Sequence, residues 1–212
     1  MICRTRGAEC LFKGVPGRGR AGPFPGSICA SINEEVVHGI PSTDRVLHDG
    51  DIVSVDFGVK LDGWCADAAR TYLVGAVSED VRRLVEATKH CLDIAIERMT
   101  PDGVWSSAAR SMQDYARAQG LAVVEEFVGH GIGKSMHEDP KVPNFVSAEL
   151  RRQDIVLKPG LVLAVEPMIN LGGKDVRVLA DGWTIVTADG KCSAHWEHTI
   201  AVTETGVRIL TG

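Results

Sequence analysis

The sequence has no apolar run that approaches the roughly 18 residues needed to cross a bilayer as a helix. Its first residues also lack the compact apolar stretch and the small-residue cleavage site of a secretory signal. With 44% hydrophobic and 24% charged residues, the chain has the composition of a soluble, globular protein. A length of 212 residues is enough to bury a core, either in one domain or in two small fused halves.

Cysteine pairs and an excess of positive charge are missing as well. The six cysteines include no C-x-x-C pair, and a chain of this length does not need disulfides in order to fold. We therefore expect the protein in a reducing cytoplasm. The net charge of -5 gives the molecule as a whole no basic surface for nucleic acid, so no specific nucleic-acid partner is expected.

The one concentrated basic segment lies near the start of the chain. Its cations stand among glycines and prolines, which is typical of a solvated, flexible arm. They are Arg4, Arg6, Lys13, Arg18 and Arg20. We therefore predict a basic, Gly/Pro-rich arm over residues 1–23 and a single folded domain over residues 24–212.

An internal repeat organises the rest of the sequence. Residues 46–56 and residues 156–166, which are 110 positions apart, read almost alike. Each stretch has Val-Leu, a turn that ends in glycine, and an apolar run that is typical of a buried strand. Each run closes on valine and a carboxylate, Asp56 in the first copy and Glu166 in the second.

The two copies have matching surroundings. The tripeptide His-Gly-Ile precedes each copy, beginning at His38 in the first and at His130 in the second. An acid opens another apolar run after each copy, Asp67 in the first and Glu197 in the second. The order histidine, acid, acid therefore occurs twice, and this predicts two similar halves.

Two helices are predicted near the junction of the halves. Ser78 is a suitable N-cap for an amphipathic helix that follows it. A second helix is predicted over residues 104–119, with Gly120 as its C-terminal cap. The expected fold class is α+β, with halves of roughly 24–103 and 104–212 that each give strands to a central sheet covered by helices.

The repeated acids predict a metal site. A carboxylate at the end of a buried strand costs several kcal/mol in desolvation unless a cation or hydrogen bonds offset it. A hairpin through residues 60–63 would bring two of the acids together on adjacent strands. Taken singly, each acid is more often a solvated strand-end charge, but the repeat favours a shared role. Two divalent ions would suit the set Asp56, Asp67, His130, Glu166 and Glu197.

A second histidine lies close to this set. His137 follows His130 by seven residues, which is not the H-E-x-x-H spacing of a zinc-binding helix. The glycines between the two histidines indicate a strand and a turn. A lone histidine is more often structural, whereas two that flank a glycine turn beside clustered acids favour a functional role.

Several motifs together resemble those of the type I methionine aminopeptidases. They are NEEVVHGIP from Asn33, the acids Asp56 and Asp67, GHGIG and HEDP within residues 129–140, VEPM from Val165, and EHT from Glu197. The match runs from about Phe24 to the C-terminus. It implies the pita-bread fold, in which two pseudo-symmetric α+β halves share a central antiparallel sheet covered by helices. It also implies that an N-terminal helical segment is missing, because members of the family carry further helical sequence ahead of this point.

The resemblance implies an exopeptidase that removes the N-terminal methionine and prefers a small second residue. Asp56, Asp67, His130, Glu166 and Glu197 would bind two divalent ions of cobalt, manganese, iron, zinc or nickel, with Asp67 and Glu197 bridging. Glu166 would take a proton from water, His137 would steady the oxyanion, and His38 would contact the scissile amide. The residues matching the methionine pocket, a soft apolar set suited to a thioether, are Phe24, Cys29, Met136 and Trp183.

Two alternatives stay open at this point. An X-Pro aminopeptidase or dipeptidase of the same fold would share all five ligands. A non-catalytic pita-bread module could instead bind RNA or the ribosome through the basic arm, and it would not need those ligands. For the preferred function, we expect a monomer that acts on the N-termini of nascent polypeptides, with transient ribosome association and no membrane partner.

Overall fold

The computed structural model describes residues 2–17, 19 and 21–212. Four helices lie within these ranges: α1 Ile2–Thr5, α2 Glu79–Arg98, α3 Trp105–Ala118 and α4 Ala148–Arg152. The strands are β1 Glu9–Cys10, β2 Cys29–Ile32, β3 Glu35–Val37, β4 Ile52–Asp56, β5 Val59–Leu61, β6 Trp64–Ala66, β7 Ala69–Leu73, β8 Ala122–Val123, β9 Gly129–Gly131, β10 Glu138–Val142, β11 Val162–Val165, β12 Met168–Asn170, β13 Val176–Val178, β14 Ile185–Thr187, β15 Ser193–His195, β16 His198–Thr203 and β17 Gly206–Ile209. Among the described residues, no helix is long and apolar enough to cross a membrane.

The two long helices form where their end signals predict. The hydroxyl of Ser78 accepts a hydrogen bond from the backbone N–H of Val81 at 3.3 Å and so caps α2. Helix α3 ends at the capping residue Gln119, and Gly120 follows with φ of 72°, which glycine adopts at little cost. Both helix predictions are confirmed.

One large core joins α2 and α3 to the strands. Leu84, Leu92 and Met112 are fully buried in it, together with the indole of Trp105. The indole N–H of Trp105 donates to the carbonyl oxygen of Pro143 at 2.8 Å, so this large side chain is buried without losing its hydrogen bond. The core therefore fixes both helices against the strands that carry the candidate site.

The strands confirm the repeat as a structural one. Every named strand pair is antiparallel. Strand β4, from the first copy, is the middle strand of the sheet β2-β4-β7. Strand β11, from the second copy, is the middle strand of the sheet β10-β9-β11-β16-β17. Each copy thus places its carboxylate at the end of a central strand.

A seam of hydrogen bonds joins the two halves. The backbone N–H of Glu197 donates to the carbonyl oxygen of Ala69 at 2.9 Å. The hydroxyl of Thr199 accepts from the N–H of Asp67 at 2.9 Å and donates to the carbonyl oxygen of Asp67 at 2.8 Å. A threonine side chain therefore satisfies both backbone groups of an acid in the other half.

The same pattern of hydrogen bonds occurs at a second position along the seam, where the threonine belongs to the first half and its partner to the second. The hydroxyl of Thr71 accepts from the N–H of His195 at 2.9 Å and donates to its carbonyl oxygen at 2.9 Å. The hydroxyl of Ser54 lies 2.8 Å from that of Thr71. Because the proton of Thr71 is directed to His195, Ser54 is the donor in this pair.

The structure corrects the interpretation of the first residues as a solvated arm. Strand β1 pairs with β5, and Phe12 is only 7% exposed. Backbone hydrogen bonds of 2.9 Å also join Phe24 to both Gly14 and Val15. Burial of the Phe12 side chain stabilises residues 9–15 against the rest of the fold. Arg18 and Arg20, which contributed to the arm prediction, lie outside the described residues.

Candidate active site

Different strands bring the five predicted ligands to one place. Asp56 ends β4, and Glu166 directly follows β11. Asp67 lies in the short link between β6 and β7, and Glu197 lies in the equivalent link between β15 and β16. His130 is the middle residue of β9, which pairs with β11. Each half therefore supplies two acids, as the repeat predicts.

The distances among these side chains are short. Candidate ligand atoms of Asp67, His130 and Glu197 all lie within 4.8 Å of one another. Nε2 of His130 lies 3.6 Å from Oε1 of Glu166. The carboxyl groups of Asp56 and Asp67 are close enough to affect each other's pKa values. The acid cluster, by which we mean Asp56, Asp67, Glu166 and Glu197, is thus a compact group.

Burial and mutual repulsion make the acid cluster hard to ionise. Asp67 and Glu197 are only 4% and 2% exposed. Burial raises the pKa of Asp67 to about 7. Burial, followed by the negative charge of Asp67, also raises the pKa values of Asp56, Glu166 and Glu197 well above the ordinary range. A cation among these groups would favour the ionised carboxylates and so oppose these shifts.

His130 presents a lone pair to the acid cluster. Its Nδ1 lies 2.8 Å from the carbonyl oxygen of Gly131, so Nδ1 carries the proton and Nε2 is left as the acceptor. Burial lowers the pKa of His130 to about 4, which keeps the imidazole neutral. Oδ1 of Asp56 and Oε1 of Glu197 are buried and have no hydrogen-bond partner in the part of the chain that the structure describes. A lone pair that faces carboxylates with unpaired oxygens fits a divalent cation.

The two other predicted histidines flank this group. The ring of His137 lies against that of His130, with ring centroids 4.3 Å apart, and solvent reaches it. The ring of His38 packs edge-on against Phe127 with centroids 5.6 Å apart. The backbone of His38 adopts φ of 59°, which is uncommon for a residue with a side chain and marks a constrained turn.

The four residues predicted for the substrate pocket belong to one apolar cluster. Phe24 and Cys29 are buried in it, and Met136 and Trp183 are partly buried against them. The rings of Phe24 and Trp183 meet edge to face with centroids 5.1 Å apart. Burial, followed by the nearby charges of Asp56, Asp67 and Glu197, raises the pKa of the Cys29 thiol. Cys29 also pairs with Asp56 across strands β2 and β4, so this cluster borders the acids.

Gly58 marks the point where the apolar cluster meets the acid cluster. A Cβ atom placed on it would lie 2.8 Å from Cε1 of Phe12 and 3.3 Å from both Oδ1 of Asp67 and Sδ of Met136. No side chain fits at this junction. Sequence reasoning missed Phe12, which belongs to the same apolar cluster, because it lies in the segment interpreted as an arm.

A further buried histidine was also missed by sequence reasoning. His195 is 2% exposed, and its Nε2 lies 3.6 Å from Oε2 of Glu166. Burial, with a smaller contribution from the charge of His38, lowers the pKa of His195 to about 3. The available signal was its position two residues before Glu197, because alternate side chains of an extended chain share a face.

Comparison with known proteins identifies the class. Residues 5–204 match the model of metallopeptidase family M24, and the chain belongs to that family. Methionine aminopeptidase 1 of Bacillus subtilis is 48% identical over 208 residues, which cover 98% of this chain and 80% of the relative. The crystal structure of methionine aminopeptidase from Thermotoga maritima superimposes with a TM-score of 0.91 at 40% identity, covering 99% of this chain and 81% of that one.

The likeness to X-Pro peptidases shows a shared fold. Prolidase from Pyrococcus horikoshii superimposes with a TM-score of 0.67 at 22% identity. The match covers 87% of this chain and 47% of the prolidase. Both the pita-bread fold and the resemblance inferred from the motifs are therefore confirmed, and the relatives favour the methionine aminopeptidases over the X-Pro alternative.

Proposed function

We propose that this protein is a metal-dependent methionine aminopeptidase that removes the N-terminal methionine from new polypeptides and prefers a small second residue. The observation that carries the proposal is the junction at Gly58, where the apolar cluster of Phe24, Cys29 and Met136 directly adjoins a cluster of ligand-type side chains. A soft pocket with a partly buried methionine and aromatic rings suits a thioether side chain. The relatives that are named methionine aminopeptidases agree with this arrangement.

The acid cluster and His130 would hold two divalent ions of cobalt, manganese, iron, zinc or nickel. When bound, such ions supply positive charge that polarises a carbonyl group and makes water a nucleophile near neutral pH. In this proposal Asp67 and Glu197, which come from different halves and are both buried within reach of His130, would each serve both ions. The unpaired oxygens of Asp56 and Glu197 give the ions donors that are already desolvated.

The chain's own groups complete the proposed mechanism. Glu166, whose pKa is raised by burial, accepts the proton of the attacking water. His137, at the solvent side of His130, donates a hydrogen bond to the oxygen that becomes negative in the transition state. His38 is held against Phe127 and contacts the amide of the scissile bond. A tight wall beyond that bond would exclude a bulky second residue.

The test is mass spectrometry of Met-Gly-Met-Met incubated with the protein and Mn²⁺ or Co²⁺. Loss of one methionine residue is expected, and Met-Leu-Met-Met should be cleaved far more slowly. Gly-Pro serves as the substrate that an X-Pro peptidase would prefer. Cleavage of Gly-Pro in place of Met-Gly-Met-Met would overturn the proposal, as would no cleavage of any peptide by the metal-loaded protein.

The cellular setting is also part of the proposal. Nascent N-termini are the expected partners, and contact with the ribosome is transient. We further propose a cytoplasmic monomer. A non-catalytic module that binds RNA or the ribosome has no need of a buried acid cluster, which carries a cost in desolvation. Measurement of bound metal per chain separates that alternative from the enzyme.

A further inference from the structure

His195 is a buried polar side chain that the proposed mechanism does not use. It is 2% exposed, and its Nε2 has no hydrogen-bond partner among the described residues. A buried polar atom without a partner is unfavourable, and such atoms are rare in folded proteins. A neighbour that can accept a hydrogen bond is therefore the first place to look for its role.

That neighbour is the carboxylate of Glu166. Oε2 of Glu166 lies 3.6 Å from Nε2 of His195, and Oε1 lies 3.6 Å from Nε2 of His130. The carboxylate thus lies between two imidazoles, with one oxygen directed to each. The two contacts differ in kind, because the hydrogen bond from Nδ1 to Gly131 leaves Nε2 of His130 without a proton. Of the two imidazoles, His195 is therefore the one that can offer the Glu166 carboxylate a donor.

Both partners are held by their backbones. Thr71 bonds to the N–H and to the carbonyl oxygen of His195 at 2.9 Å each. The carbonyl oxygen of Glu166 accepts from Nδ2 of Asn144 at 3.0 Å. A contraction of a few tenths of an ångström between the two side chains brings Nε2 and Oε2 into hydrogen-bond range. Because both backbones are held by hydrogen bonds, this contraction requires only a small rotation of the two side chains.

We propose that His195 is a positioning residue for Glu166. Its Nε2–H holds Oε2 and thereby directs Oε1 toward His130 and the acid cluster. The inference rests on the proposed function for its effect on turnover, but its effect on metal affinity is independent of the substrate. Groups that orient ligands in this way typically change metal affinity or activity by about 10- to 100-fold when they are removed.

Three substitutions at one position separate positioning from packing. His195→Gln places an amide N–H the same number of bonds from Cα as Nε2 of the imidazole. His195→Asn places its amide one bond short of that point, and His195→Leu offers a similar volume with no donor. Thr88→Val is the matched control, since it removes a buried hydroxyl that bonds to the carbonyl oxygen of Leu84 within α2.

The readouts are calorimetric titration with Mn²⁺, kcat and KM on Met-Gly-Met-Met, and the melting temperature without metal. We expect His195→Leu and His195→Asn to weaken Mn²⁺ binding by about 10- to 100-fold. In these variants kcat should fall more than KM rises. His195→Gln should stay within a few-fold of the parent protein, and Thr88→Val should change the melting temperature without changing Mn²⁺ affinity.

Two results would overturn the inference. One is equal Mn²⁺ affinity in all three His195 variants and the parent, and the other is an equal loss in all three, which a packing role alone explains. A parent protein that binds Mn²⁺ but does not cleave Met-Gly-Met-Met would sink the proposed function. The ranking of Mn²⁺ affinities would still decide the role of His195 in that case.

Discussion

Asp67→Asn should make the metal-free protein more stable while it abolishes the response to metal. The substitution keeps the shape of the side chain and removes one charge from the acid cluster. Backbone bonds from Asp67 to Thr199 do not involve the side chain and remain. In the parent protein, Oδ1 of Asp67 accepts a hydrogen bond from the backbone N–H of Ala68 at 3.1 Å, and the amide oxygen of the asparagine can accept the same bond. The change in charge is therefore nearly isolated from changes in contacts.

The size of the effect follows from the pKa of Asp67. Burial raises this pKa to about 7 from an ordinary value of 3.8, so the folded state binds the proton more tightly than the unfolded state. Stability is therefore lost as the pH rises through this interval, and the whole cost is present above the folded pKa. At about 1.4 kcal/mol per pH unit, ionised Asp67 costs the metal-free fold on the order of 4 kcal/mol.

Calorimetric melting after chelation measures this cost. For a chain of this length about 1 kcal/mol shifts the melting temperature by about 2–4 °C, so Asp67→Asn should melt about 8–16 °C above the parent at pH 8. The gap should shrink at pH 5, where Asp67 is largely protonated in the folded parent. Added Mn²⁺ should raise the melting temperature of the parent but not that of the variant.

A surface aspartate provides the control for this experiment. The side chain of Asp93 is 40% exposed and pairs with Lys89 on α2, so Asp93→Asn should move the melting temperature little at either pH. The reasoning about Asp67 would be refuted by a variant that melts below the parent at pH 8 and at pH 5 by the same amount. A variant that retained the full response to Mn²⁺ would show that Asp67 does not hold the cation.

Four other outcomes are expected. Exhaustive chelation should abolish cleavage of Met-Gly-Met-Met, and Mn²⁺ should restore it; activity that survives chelation contradicts the metal proposal. His137→Ala should lower kcat by on the order of a hundredfold with a smaller change in KM, whereas a change in KM alone would make His137 a binding residue. Gly58→Ala should raise KM, measured against Ala69→Gly as a control, because the added Cβ would lie 2.8 Å from the ring of Phe12. Thr199→Val should weaken Mn²⁺ binding in calorimetry while Thr199→Ser preserves it; equal binding by both would exclude a role for the hydroxyl.

The parts of the fold that depend on local pattern could be predicted from the sequence. Ser78 and Gly120 mark helix ends for local reasons. The Ser78 hydroxyl accepts a hydrogen bond from a free N–H of the first turn, and Gly120 adopts the positive φ that follows the last turn. The repeat predicted the central strands of both halves, because a run of apolar residues is typical of a strand that is buried in a sheet. The hairpin between Asp56 and Asp67 followed from an Asp-Gly turn, which the structure places at residues 62–63 with positive φ at both.

The parts that depend on contacts between distant segments could not be predicted. Phe12 lies among glycines and basic residues, and only its packing against Phe24 and Cys29 shows that it is buried. Thr71 has no pattern that distinguishes it from any other strand threonine, since its partner His195 is 124 residues away. His195 carries one signal, its spacing of two residues from Glu197, and that spacing does not identify Glu166 as its neighbour. Such roles depend on which residues of the two halves lie opposite each other at the seam. The spacing of residues along the sequence does not give this pairing.

The seam explains how the fold tolerates a cluster of repelling acids. Asp67 and Glu197 come from opposite halves, so their repulsion acts to separate the halves at the candidate site. Thr199 holds the backbone of Asp67 through both of its polar groups, and the link bearing Glu197 is bonded to Ala69. Further along, Thr71 holds His195 in the same way. These bonds join uncharged groups and do not depend on the ionisation of the cluster. The backbone can therefore keep the carboxylates in place before a cation neutralises them, which is the arrangement that a preorganised metal site requires.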